Sequence, residues 1–168
     1  FQPGWNFFSL PVIPNDGAVV VLLPSFAQNF EQIARFEPAT NSFKHHVGNP
    51  KFNDFTELEY GVGYQLYCKA GSPVTVTFTG KVPTQRLSQP LAAGWNLLGS
   101  SVLANTAVAT WLTGVPYTDV REHNPADNSL PIATQAKPGK AYWVRVTASS
   151  TWTPPLPRDP VTAFAYDG

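Results

Sequence analysis

Pro3-Gly4-Trp5-Asn6-Phe7-Phe8-Ser9 returns 90 residues later as Ala93-Gly94-Trp95-Asn96-Leu97-Leu98-Gly99. The match continues in order along the chain. Asn15 aligns with Asn105 and Leu22 with Leu112, each in a short segment that opens with a cap-type residue, Asp16 or Thr106. Ile33-Ala34-Arg35-Phe36-Glu37-Pro38-Ala39-Thr40-Asn41-Ser42-Phe43 then aligns with Val120-Arg121-Glu122-His123-Asn124-Pro125-Ala126-Asp127-Asn128-Ser129-Leu130, and Gly61 to Cys68 aligns with Gly139 to Val146. The shrinking offset puts three extra residues before Ile33 and nine more between Phe43 and Gly61 in the first copy. Three blocks in one order point to an internal duplication, in which each copy is one supersecondary unit.

Each copy reads as mostly β. The Gly-Trp-Asn block has the aromatic and aliphatic make-up of a strand, and the segment ending at Leu22 or Leu112 allows at most two helical turns. Pro-Ala-(Thr/Asp)-Asn-Ser is hairpin chemistry, because Pro pre-sets the first turn dihedral and Asn tolerates the left-handed position. Period-2 alternation puts Tyr64, Leu66 and Cys68 on one face, and Tyr142, Val144 and Val146 on the matching face of the other copy. Those are the core faces. Val74, Val76 and Phe78 alternate with Thr75, Thr77 and Thr79 in a further half-solvated strand, with a shorter version at Ser150 to Thr153. The expected organisation is repeat 1 over 1–83, a linker over 84–90, repeat 2 over 91–153, a proline-rich spacer over 154–160 and a strand-like tail over 161–168. The fold class is mainly β, a twofold internally duplicated β-barrel or β-sandwich with one short helical segment per repeat, or two small adjacent domains.

Composition narrows the function. With 11 basic and 11 acidic residues the 168-residue chain has no net charge, so it lacks the basic field that draws a protein onto nucleic acid. The longest apolar run, Ala18 to Leu23, is far short of the roughly 20 residues that span a membrane, and Pro24 ends it. A single cysteine leaves the redox compartment undecided. The missing initiator Met, few charges and many Thr, Ser, Asn and Pro residues lead us to expect an exported, extracellular or cell-surface chain.

Gly94-Trp95-Asn96-Leu97 and Pro138-Gly139-Lys140-Ala141-Tyr142-Trp143-Val144 resemble the paired motifs of duplicated modules in large secreted and cell-surface proteins of bacteria and archaea. Over most of residues 3 to 153 the chain is similar to these modules, although repeat 1 carries Gln65 where the motif has tryptophan. The resemblance implies an exported accessory or surface module, with motifs that are structural rather than catalytic, and it implies no ligand.

Trp5 and Trp95, recurring in both copies, are expected in the core. Trp143 and Arg145 alternate with inward neighbours and should face outward, as should Gln65 and Tyr67. With Trp111 and Trp152 they form the candidate ligand-binding set, an aromatic face suited to polysaccharide. The strand-like Val161, Ala163, Phe164 and Tyr166 are candidates for assembly with another copy or with other surface-protein domains. The His45-His46 pair and His123 lack zinc spacing, Asp54, Glu57 and Glu59 lack a calcium loop, and Cys68 aligns with the apolar Val146. No metal, cofactor or catalytic residue is expected. The expected function is a non-catalytic structural or adhesive module of an exported surface protein or filament, with a carbohydrate-binding module as the alternative and a hydrolase less favoured.

Overall fold

The computed structural model describes residues 1–86 and 88–156 together with the strand Ala163–Tyr166. The first half runs through β1 (Gly4–Phe8), β2 (Ile13–Pro14), α1 (Val19–Leu22), α2 (Phe26–Asn29), β3 (Phe30–Glu37), β4 (Ser42–Val47), β5 (Tyr64–Cys68) and β6 (Val76–Lys81). The second half follows with β7 (Gln89–Leu91), β8 (Gly94–Gly99), β9 (Thr106–Ala107), α3 (Val108–Trp111), β10 (Tyr117–Glu122), β11 (Gln135–Ala136), β12 (Ala141–Val146) and β13 (Ser150–Trp152). β14 is Ala163–Tyr166.

The protein is mainly β, and its described strands form small antiparallel sheets that do not close into a barrel. The two principal sheets have the orders β1-β5-β3-β4 and β10-β12-β8. They share one register. Trp5 lies opposite Tyr67 and Gln32 beyond it, while Trp95 lies opposite Arg145 and Asp119 beyond that. One row along, Phe7, Gln65 and Ala34 occupy the places that Leu97, Trp143 and Arg121 take in the other sheet. The hairpin turns follow their composition, with Asn41 and Asn128 at φ 51° and 58°.

The helical content departs from one segment per repeat. The first half adds α2 and a 3-10 turn at Pro50–Phe52, the latter built by the residues inserted between Phe43 and Gly61. Of the two cap candidates, Asp16 Oδ1 accepts the Ala18 N–H at 2.8 Å, whereas the Thr106 hydroxyl turns back to donate to the Ala104 carbonyl. The segment 84–90, read as a linker, ends in β7, which pairs with β13.

Two cores follow from the alternation. Tyr64, Leu66 and Cys68 join Phe1, Phe8 and Phe30 beneath the first sheet, and Tyr142, Val144 and Val146 join Trp111, Leu112 and Trp152 beneath the second. The tyrosine hydroxyls are used identically. Tyr64 accepts the Glu59 N–H at 2.8 Å and Tyr142 accepts the Lys137 N–H at 2.7 Å, and burial pushes both hydroxyls well above the ordinary tyrosine range.

Trp5 and Trp95 are not core residues. In a strand, neighbouring side chains take opposite faces, so Trp and Asn of Gly-Trp-Asn cannot both be inside, and the buried one is Asn6 or Asn96. The buried amide satisfies itself on local backbone. Asn6 Nδ2 donates to the Gln2 and Gly4 carbonyls while its Oδ1 accepts the Gln2 N–H, and Asn96 does the same with Ala92 and Gly94. This clamp holds Gly4 at φ 91° and Gly94 at φ 102°, a conformation that glycine adopts without strain.

The two sheets meet where β1 and β8 end. Phe8 bridges to Lys140 and Val62 to Leu98, and the Ser9 and Gly99 N–H groups donate to the Gly139 and Gly61 carbonyls at 2.9 Å each. A small shared cluster of Phe7, Leu97 and Ala141, with Phe36 and Trp143 against it, fills the space beside this crossing.

The expectation for the tail meets a definite structure. Val161 lies outside the described residues, whereas Ala163, Phe164 and Tyr166 belong to β14, which pairs with β6 of its own chain, Ala163 opposite Thr79 and Tyr166 opposite Val76.

A Cβ on Gly99 would lie 2.6 Å from both the Ser9 Cβ and the Val62 carbonyl oxygen. Gly99→Ala should therefore cost about 1–3 kcal/mol, read as a lower urea midpoint, whereas Gly48→Ala, with nothing within 4 Å, serves as the control in the same titration.

Candidate functional site

The best-formed concavity lies on the outward side of the second sheet, where it meets the β3–β4 hairpin of the first. Trp95 comes from β8, Trp143 from β12, and Asp119 and Arg121 from β10, with Leu130 after the second hairpin turn. Phe36 and Asn41 close the opposite wall, and the cleft holds about 540 Å³.

Its walls are aromatic. The Trp143 ring sits edge-on to Phe36 at 5.0 Å between centroids and to Trp95 at 6.4 Å, and Phe43 touches it at 6.2 Å. Trp95 stays 39% exposed, a large apolar surface that nothing described covers. Its polar groups are locked. Arg121 Nε donates to both carboxylate oxygens of Asp119 at 2.8 and 3.0 Å, Nη2 adds a bond at 2.9 Å, and Nη1 reaches the Leu130 carbonyl at 3.3 Å. A fork bonded to one carboxylate is a rigid hydrogen-bonding edge beside the indole faces.

The predicted site residues divide into three groups. Trp143 lines the cleft, with Arg145 exposed on the same face, opposite Trp95 on one side and Asp119 on the other. Gln65 and Tyr67 occupy the aligned positions on the first sheet, where Tyr67 packs edge-on to Trp5 at 5.2 Å, and they do not line this cleft. Trp111 and Trp152 are corrections, since both are completely buried. The turn α3 lays Trp111 under the sheet together with Val108, and Trp152 points inward from β13, its Nε1 donating to the Trp111 carbonyl at 3.2 Å. Sequence reasoning missed Asp119, Arg121 and Trp95. The alternation that fixes Val144 inward also places Asp119 and Arg121 outward once Val120 is paired with Val144, so their signal lay in the register.

The histidines are structural. His46 is buried against Phe26 and Phe55 with Nδ1 2.9 Å from the Phe55 carbonyl oxygen, and the His45 backbone N–H donates to Asp54. His123, aligned with Phe36, stacks on Phe7 at 4.4 Å and 10°, with Nε2 2.7 Å from Asn128 Oδ1. Glu59 pairs with Arg35 at 2.9 Å. Cys68 is buried in the first core. Among the described residues no group of three or more His, Cys, Asp or Glu side chains could hold a metal ion. No protein family, no characterised protein and no solved structure matches this chain.

Two predictions follow from these placements. Trp111→Ala and Trp152→Ala should each cost about 3–5 kcal/mol in chemical denaturation, and Trp95→Ala far less, because only the first two leave a cavity. Burial holds His123 below its ordinary imidazole range, against the opposing hydrogen bond that its Nε2 donates to Asn128 Oδ1. The unfolded chain thus binds its proton more readily, so His123's contribution is fully present above about pH 6.5 and is lost as pH falls through the lower folded-state value. The urea midpoint should fall over that acid window, and His123→Phe, the residue the first sheet uses at Phe36, should flatten the fall.

Proposed function

We propose that this chain is a non-catalytic binding module that takes a carbohydrate in the cleft between its two sheets. The observation that carries this reading is the pairing of aromatic walls, Trp95, Trp143 and Phe36, with a fixed polar edge, Arg121 bonded to Asp119. A sugar ring has the complementary surfaces, an apolar face of C–H groups and a rim of hydroxyls. A mostly apolar concavity of several hundred Å³ with a few oriented polar groups is the usual form of a small-ligand site. Hydrolysis is a poorer fit. Glycosidases need two carboxyl groups flanking the bond, and among the described residues the cleft is lined by one, Asp119, whose oxygens are engaged by Arg121.

A second reading rests on β14. In a structural or adhesive module of an exported surface protein, this strand would leave β6 of its own chain and pair with the β6 of a second copy by strand exchange. Light scattering separates the two readings, because removal of residues 154–168 should lower the native mass only if the tail joins copies.

Affinity electrophoresis through gels containing different polysaccharides tests the binding reading. At least one polymer should retard the wild-type chain, and Trp143→Ala should abolish that retardation while circular dichroism stays unchanged. An unretarded wild-type chain across neutral and charged polymers would overturn it.

A further inference from the structure

Three charged side chains lie on the open end of the second sheet, and only two of them are neutralised. Asp119 and Arg121 are paired with each other. Arg145, in register between Asp119 and Trp95, is exposed and makes no hydrogen bond or ion pair among the described residues. Asp119 already gives both oxygens to Arg121, which leaves this face with one uncompensated guanidinium beside the exposed Trp95 ring.

The fold itself does not call for these charges. The first sheet has the same register and places Tyr67, Ala34 and Gln32 where the second has Arg145, Arg121 and Asp119. All three are uncharged, and that sheet forms the same hydrogen-bonded ladder and covers an equally apolar core. A strand of this kind is therefore built without Arg145, which stands exposed on the outward face between Trp95 and Asp119, at the edge of the aromatic cleft rather than in its lining.

Resting on the carbohydrate reading above, we infer that the cleft selects acidic carbohydrate, with the anionic group of the sugar held by Arg145 while the ring lies against Trp95 or Trp143. Guanidinium suits this role. Its planar donors match a carboxylate or a sulfate bidentately, and its weak hydration lowers the cost of placing it against an indole. The Arg121–Asp119 pair beside it is electrically closed, so it meets hydroxyls rather than competing for the anion.

Matched polymers test the inference: polygalacturonate against its fully methyl-esterified form, and dextran sulfate against dextran. Wild-type chain should bind the acidic member of at least one pair about tenfold or more tightly, in line with a charge-assisted hydrogen bond, and the preference should shrink as salt rises. Preference for polygalacturonate identifies the anion as a carboxylate, and preference for dextran sulfate identifies it as a sulfate ester. Arg145→Gln should erase the preference, bringing the acidic member to the same affinity as its neutral counterpart. Arg145→Tyr, which places the side chain of Tyr67 in the same register, should behave alike and guards against a folding artefact. Equal binding of the two members by wild type, or an acidic preference that survives both substitutions, overturns the acidic assignment. If the neutral polymer is still bound and Trp143→Ala abolishes that binding, the carbohydrate reading stands while this one falls. Binding of neither member of either pair removes both.

Discussion

Two strand ends pass each other at Ser9 and Gly99 with no space for a side chain on the glycine, and the relation between the two sheets is set there. The Ser9 and Gly99 amides each donate to a glycine carbonyl of the opposite half, Gly139 and Gly61, so a pair of matching hydrogen bonds locks the crossing. Ser9 Oγ adds bonds to the Ser100 and Lys140 carbonyls. Unpaired backbone groups would be costly in so enclosed a place, and close approach is the arrangement that pairs them. Once the strand ends are fixed, the outward faces of the two sheets must converge beside the crossing and diverge away from it.

The cleft is a consequence of that geometry. Near the crossing the outward side chains are Phe7, Leu97 and Ala141, and they fill the narrowing space as a third small core. Farther out the faces separate, and the same rows present Trp95, Trp143 and Arg121, half covered by the Phe36 side of the opposite hairpin. One outward surface is therefore packed at its inner end and open at its outer end. His123 sits on the packed part, stacked on Phe7, and its burial there lowers the imidazole below its ordinary range.

Much of the fold was legible because alternation is a local property. Tyr64, Leu66 and Cys68, with Tyr142, Val144 and Val146, were assigned to the interior from spacing alone and are buried there. The hairpin asparagines at positive φ were likewise legible from turn chemistry. The tryptophans were harder. Size favoured Trp5 and Trp95 as core, yet an adjacent asparagine that bonds three backbone groups wins the inward place, since a buried amide is tolerable only when so satisfied. Trp111 and Trp152 carried no alternation long enough to orient them, and both are core. Arg145 and Trp143 were read correctly as outward, but their partners Asp119 and Arg121 became visible only through the register of β10 on β12.

From the sequence came the inward side of the two Tyr-rich strands, the places of the hairpin turns and the matching of the Gly-Trp-Asn and Tyr-rich blocks, but not the sides of Trp5, Trp95, Trp111 and Trp152. Tertiary structure decided what lies over each side. Periodicity puts Trp143 and Arg145 on the outward side of their strand, and nothing local distinguishes an outward residue sealed at a crossing from one left in a cleft. That difference comes from the contact between Ser9 and Gly99, a long-range approach whose participants are 90 residues apart and whose hydrogen bonds have no signature in either segment alone.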